Sequence, residues 1–195
     1  MIWKEPQLPD FGPDHFLIVY HSVRNFSARS PAGVAIDAII IHDTATLSVA
    51  SVLETFDNPA EQRSSHYLID RDGSTYELVD PAQKAWHAGA SSLWGRDDVN
   101  EVSIGIELVG VDVPAPGTHR MGQHETTLGY TDAQLTTLLA LTVHLVDRYP
   151  GILLNRIVGH EHIAVPRGRK TDPGPDFPWR EYLEAVGWYR LGRQG

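Results

Sequence analysis

Cysteine is absent from the chain. That excludes disulfides, thiolate metal ligands and a thiol nucleophile together. Any metal must therefore be gripped by His, Asp or Glu. Basic residues are in the minority: 16 Lys and Arg against 25 Asp and Glu give a net charge of −9. Nucleic-acid binding draws most of its affinity from phosphate contacts and calls for a basic stripe. The nearest approach is PRGRK at 166–170, so no nucleic-acid partner is expected. No segment approaches the roughly 20 apolar residues of a membrane helix, so no membrane partner is expected either. The opening MIWKEPQLPD lacks a basic stretch followed by an apolar run. The expectation is a chain without a secretory signal, cytoplasmic and monomeric.

What is present suits one globular domain. The 195 residues are 42% apolar and 21% charged, enough to bury a substantial core. Ten histidines are available, and nitrogen and oxygen donors suit zinc.

VAIDAIIIH at 34–42 is a continuous apolar run with β-branched residues, which predicts a strand buried on both faces. Val49, Val52, Leu53 and Phe56 follow at helical spacing, and Asn58-Pro59 ends that helix. SSHYLID at 64–70 and TYELVD at 75–80 read as a hairpin around RDGS. VSIGIELVG at 102–110 is a further apolar strand, in which Gly105 permits close backbone approach. The stretch 111–130 reads as an exposed loop. Thr131 and Gln134 form a capping box for a helix to Tyr149, with Leu135, Leu138, Leu139, Leu145 and Val146 on one face. RIVGH at 156–160 is a short strand, 163–178 a proline-rich loop, and 179–189 a terminal helix. Strands interleaved with helices predict an α/β domain, a central mixed sheet flanked by helices. The expected division is an irregular arm over 1–30, a single domain over 31–190 and a tail over 191–195.

Three titratable residues interrupt or close apolar runs: His42 after III, Glu107 within IGIEL and His160 after IVG. Charge in or beside a buried strand is costly unless it is paired or bound. A zinc hydrolase needs three protein ligands and an open fourth position, together with a base for water and a cation for the oxyanion. Taken singly, each histidine is more often a hydrogen-bonded structural residue than a ligand, and Glu107 could be an ion-paired carboxylate. Local spacing offers a different ligand pair: His160 and His162 in GHEH would face one side of a strand.

Seven segments together resemble the zinc-dependent N-acetylmuramoyl-L-alanine amidase family, which includes bacterial cell-wall recycling amidases, phage endolysins and peptidoglycan-recognition proteins. They are IIIHDTAT (39–46), SSHYLIDRDG (64–73), WHAG (86–89), SIGIELVG (103–110), YTDAQ (130–134), VGHEHIA (158–164) and RKTDPGP (169–175). They keep the family's order over about residues 34–180. The resemblance implies one zinc ion held by His42, His160 and Asp172, with Glu107 as the catalytic carboxylate and Lys170 as the cation facing the oxyanion. It makes His162 a non-ligand. Ser65 stands where phage relatives carry a catalytic tyrosine, and Tyr67 should turn to the opposite face.

The implied reaction is hydrolysis of the amide between the lactyl group of N-acetylmuramic acid and L-alanine of the stem peptide. Peptidoglycan or a muropeptide would be the substrate, and a recycling enzyme and a phage endolysin both fit. Trp86, His87, Asn100 and His66 are expected to contact substrate. A Trp in the core and a structural histidine are equally open readings of these positions. His119, His124 and His144 are expected to be solvated. Two alternatives stand: a peptidoglycan-binding module without activity, and a zinc peptidase using the GHEH pair. All five site residues being present speaks against the first.

Overall fold

A computed structural model describes residues 18–110 and 129–192. Its centre is a six-stranded mixed sheet in the order β1-β5-β4-β9-β3-β10. These strands are β1 (Ile18–Tyr20), β3 (Ala38–Asp43), β4 (Tyr67–Ile69), β5 (Thr75–Glu77), β9 (Ser103–Leu108) and β10 (Ile157–Gly159). The β4–β5 hairpin is antiparallel; β4, β9, β3 and β10 run parallel to one another, with β10 at the edge, and β1 runs parallel to β5 at the other edge. Parallel strands require cover on both faces, and the sequence of β3 supplies it: Ala38 to His42 are all buried.

Period-two alternation sorts the side chains. Ile39, Ile41, Tyr67, Ile69, Ile104, Ile106 and Leu108 point to one face and pack with α2 (Asp132–Arg148) and α4 (Trp179–Gly192). Each such buried aliphatic chain contributes about 1.5–3 kcal/mol, so this layer is the anchor of the fold. The capping box holds at the start of α2, where Thr131 and Gln134 exchange bonds. The Gln134 amide continues to the carbonyls of Ile69 and Val109, tying the helix to two strands. The opposite face is covered by α1 (Val49–Asp57), capped by Ser48, and by the segment that follows β6 (Gln83–Ala85).

Several expectations are corrected. The segment expected to be an irregular arm contains β1 and also β2 (Phe26–Ala28), which pairs with β6. Both are three-residue strands made by main-chain pairing, with too few side chains to show a period. A small ribbon, β7 (Ser92–Leu93) with β8 (Arg96–Asp97), was likewise not foreseen. GHEH is not a strand: β10 stops at Gly159, and α3 (His160–Ile163) is a single helical turn. The terminal helix α4 runs three residues past Tyr189, into the segment expected to be a tail. His144 is exposed on α2 as expected. His119, His124 and most of the 111–130 loop lie outside the described residues. No described helix is long and apolar enough to cross a membrane.

Candidate functional site

The face opposite α2 carries a cleft of about 590 Å³, lined by His42, Glu107, His160, Lys170 and Asp172 among others. Register explains the first pair. β3 and β9 are parallel with His42 directly opposite Glu107, so alternation puts both on the cleft side. β10 lies on the other flank of β3, and the turn into α3 presents His160 beside His42. Asp172 arrives on the loop before α4. Gly159 has no Cβ to bar that loop, since one would stand 2.6 Å from Pro173 Cδ. The loop is also held by Tyr130, whose hydroxyl donates to the Pro173 carbonyl at 2.6 Å, and by the Glu161 amide donating to the Asp172 carbonyl.

Three atoms meet at the bottom of the cleft. His42 Nδ1 lies 3.0 Å from Asp172 Oδ2, His160 Nδ1 lies 3.1 Å from the same oxygen, and the two nitrogens are 3.1 Å apart. Bonds of about 2.0–2.1 Å to a tetrahedral ion would separate ligand atoms by about 3.3 Å, so the triangle has the right size.

Its proton count points the same way. His160 Nε2 must donate to the Ala88 carbonyl at 3.1 Å, which leaves a lone pair on Nδ1 of the neutral ring. His42 Nε2 lies 3.1 Å from His87 Nδ1. Beyond it, His87 Nε2 is 3.2 Å from Ser103 Oγ, and that hydroxyl donates to the Val99 carbonyl at 2.7 Å. With its hydrogen so committed, Ser103 accepts from His87 Nε2–H, so His87 Nδ1 accepts from His42. His42 Nδ1 therefore also carries a lone pair. Three acceptors facing one another at 3 Å with no hydrogen between them repel, and a cation among them satisfies all three. The residues fit a metal ion.

Electrostatics agree. Burial holds the His42 imidazole down at about 4, against the pull of Asp172, so the ring is neutral at physiological pH. Glu107 is pushed well above the ordinary carboxylate range by burial and then by the charges of Asp172 and Asp43; Lys170 and Arg63 oppose this. Its Oε2 is buried with no hydrogen-bond partner. Lys170 itself is exposed on the cleft wall.

The expected substrate contacts divide. Trp86 lines the cleft, its indole N–H donating to Ser27 Oγ. His87 borders the cleft but is 8% exposed, with both ring nitrogens engaged by the protein. Asn100 and His66 are not on the cleft, which corrects that expectation. Asn100 Oδ1 accepts from the amides of His87 and Ala88, so it holds the loop rather than a ligand. His66 is fully buried, accepting from the Gly105 amide and facing Arg29 and the Gln83 carbonyl. Burial and then Arg29 keep its ring neutral, down to about 3.

His162 accepts from the Gly159 amide and stands edge-on to Trp179, away from the triangle. The local GHEH chelate does not form. Tyr67 turns to the helix face, its hydroxyl donating to Glu77, as alternation required. Sequence reasoning missed Ser103 and the Ala88 carbonyl. Ser103 was findable, because positions 103, 105 and 107 of one strand share a face.

A buried three-donor metal site open to a cleft, beside a carboxyl held high and an exposed ammonium, is the equipment of a metal-dependent hydrolase. The family model for N-acetylmuramoyl-L-alanine amidase (Amidase_2) matches residues 32–175, and the chain belongs to this family. Over 123 residues it is 46% identical to the 1,6-anhydro-N-acetylmuramyl-L-alanine amidase AmpD of Citrobacter freundii, covering 63% of this chain and 57% of that protein. It is 33% identical over 156 residues to the N-acetylmuramoyl-L-alanine amidase AmiD of Escherichia coli, covering 76% and 52%. The chain thus spans somewhat more than half the length of these curated relatives.

Among solved structures, a selenomethionine derivative of AmpD superposes with a TM-score of 0.71 at 32% identity, over 92% of this chain and 98% of that one. E. coli AmiD, in complex with anhydro-N-acetylmuramic acid-L-Ala-D-γ-Glu-L-Lys, gives 0.65 at 30% identity, over 83% and 65%. A mutant endolysin from Bacillus subtilis, at 21% identity and a TM-score of 0.56, shares the fold alone.

Proposed function

We propose that the protein is a zinc-dependent hydrolase cutting the amide between the lactyl group of N-acetylmuramic acid and L-alanine of the stem peptide. Soluble anhydro-muropeptides are its preferred substrate in this reading. The observation that carries it is the triangle of three lone pairs beside buried Glu107. The substrate class comes from the relatives, AmpD in name and AmiD in its complex.

His42, His160 and Asp172 would hold the ion. Zinc, when bound, supplies a Lewis acid that acidifies water and polarises a carbonyl. Glu107 takes the proton of the attacking water. Burial, then the charges of Asp172 and Asp43, push its carboxyl up against Lys170 and Arg63, which strengthens its hold on the proton it takes. Lys170 lies on the cleft wall, where its ammonium faces the charge that develops on the carbonyl oxygen. Glu107 then returns the proton to the alanine nitrogen as the carbon–nitrogen bond breaks. A lactyl carboxylate and a free amino terminus result. Trp86 offers an apolar wall for the substrate.

A zinc peptidase built on GHEH is disfavoured by the position of His162. The test is mass spectrometry of a digested anhydro-muropeptide. Release of a stem peptide beginning with L-alanine, abolished by chelator and restored by zinc, is expected. L-Alanine left on the sugar, or cleavage indifferent to chelator, would overturn the reading. Intact sacculi run in parallel should be cut far more slowly.

A further inference from the structure

His87 and its loop sit behind the metal triangle, and their bonds form a one-way chain. The chain ends on a backbone carbonyl, which can only accept. The Val99 carbonyl takes the Ser103 hydroxyl hydrogen at 2.7 Å. Ser103 Oγ then takes the His87 Nε2 hydrogen at 3.2 Å, and His87 Nδ1 takes that of His42 Nε2 at 3.1 Å. Reversing the chain would move the Ser103 hydrogen from its 2.7 Å contact with the Val99 carbonyl to the 3.2 Å contact with His87 Nε2, leaving that carbonyl with the Val102 amide alone, so the shorter contact sets the direction. The same loop reaches the second imidazole by its backbone, through the Ala88 carbonyl on His160 Nε2.

The surroundings fix the loop in turn. Asn100 Oδ1 takes the amide hydrogens of both His87 and Ala88. Strand β9 provides the space: a Cβ at Gly105 would stand 2.5 Å from His87 Cγ, so only glycine admits the ring there.

We propose that His87 is a positioning residue of the metal site: through Ser103 and the Val99 carbonyl it holds His42 in the tautomer whose Nδ1 is a free donor. The loop 86–89 thereby orients both imidazoles, one by a side chain and one by a carbonyl. Its histidine serves the site from behind rather than touching the substrate. Hydrogen bonds of this kind to a ligand's distal nitrogen typically change metal affinity by about 10–100-fold. The inference rests on the metal-site reading above, but its readouts do not depend on which bond is cut.

The experiment compares wild type with His87→Leu, His87→Asn and Ser103→Ala. Zinc affinity is measured by chelator competition, and histidine tautomers by nitrogen-15 NMR on metal-free protein. Leucine keeps bulk but cannot accept. It should weaken zinc about 10–100-fold and release His42 from its single tautomer, while His160 keeps its own. Asparagine, whose amide oxygen can stand where Nδ1 does, should recover most of the affinity. Should the leucine variant not fold, Ser103→Ala carries the test by itself. With the ring in place but its latch removed, His42 should populate both tautomers. Wild-type affinity and an unchanged His42 tautomer in either variant overturn the proposal. So does loss of the His160 tautomer together with that of His42, since that would mark general loosening. A wild type that binds zinc and shows the Nε2–H tautomer on His42, yet releases no stem peptide, would sink the proposed function and leave this inference standing.

Discussion

Gly105→Ala puts one methyl group against the ring that orients the metal site, and its cost can be worked from distances. The new Cβ would lie 2.5 Å from His87 Cγ, 2.7 Å from Cδ2 and 2.9 Å from Nδ1, against an ordinary contact of 3.4 Å or more. The ring must withdraw by about 0.9 Å, the difference between 3.4 and 2.5 Å. That movement is opposed by its bonds to His42 and Ser103 and by His66, edge-on at 5.6 Å. Overpacking of this sort costs about 1–3 kcal/mol. A shift of that size also takes the 3.1 Å bond between His42 and His87 beyond hydrogen-bond range. Urea unfolding should show a lower midpoint with an unchanged slope, and zinc competition a loss of about tenfold or more. A variant within about 0.5 kcal/mol of wild type and equal to it in zinc affinity would refute the reasoning.

Glu107→Gln removes the proton carrier without touching a ligand, so it should retain zinc and lose about 10²–10⁴-fold in turnover. Near wild-type release of stem peptide would take Glu107 out of the mechanism. Metal-free protein should lose stability in acid. His42 and His66 are held at about 4 and about 3, whereas an unfolded imidazole titrates near 6.5. The unfolded chain therefore binds more protons as pH falls from about 6.5 toward those values, and each ring costs about 2 kcal/mol at pH 5. Glu107 acts with the opposite sign, because its raised carboxyl favours the folded state in acid. Urea midpoints at pH 7.5 and 5 are accordingly best compared in the Glu107→Gln protein, where an equal or higher midpoint at pH 5 would contradict the assignment. Thr131→Ala breaks the capping box of α2 and should cost about 1 kcal/mol. Its stem-peptide release should match wild type; a change in turnover would show that the cap reaches the site.

The buried strands and main helices were legible because each is long enough to show a period. IIIH and IGIEL also revealed that His42 and Glu107 interrupt apolar strands, and alternation alone placed Ser103, Gly105 and Glu107 on one face. What could not be read was which strands lie side by side. Residues 42, 160 and 172 meet because β10 pairs with β3 and the loop before α4 folds back over Gly159. No local spacing encodes that, and only family resemblance joined them. β2 and β7 lie in stretches without a sustained alternation or an apolar run, and main-chain bonds make them. His66 and Asn100 misled for a physical reason. A polar side chain in a buried segment can serve the chain's own backbone as well as a ligand, and composition does not separate the two.

The central claim is that His42, His160 and Asp172 grip one ion. Its most direct test is native mass spectrometry of the zinc-loaded protein beside His42→Ala, His160→Ala, Asp172→Ala and His162→Ala. Wild type and the His162 variant should each carry a single zinc, and the other three should carry none. Zinc retained by the Asp172 variant, or lost from the His162 variant, would contradict the account.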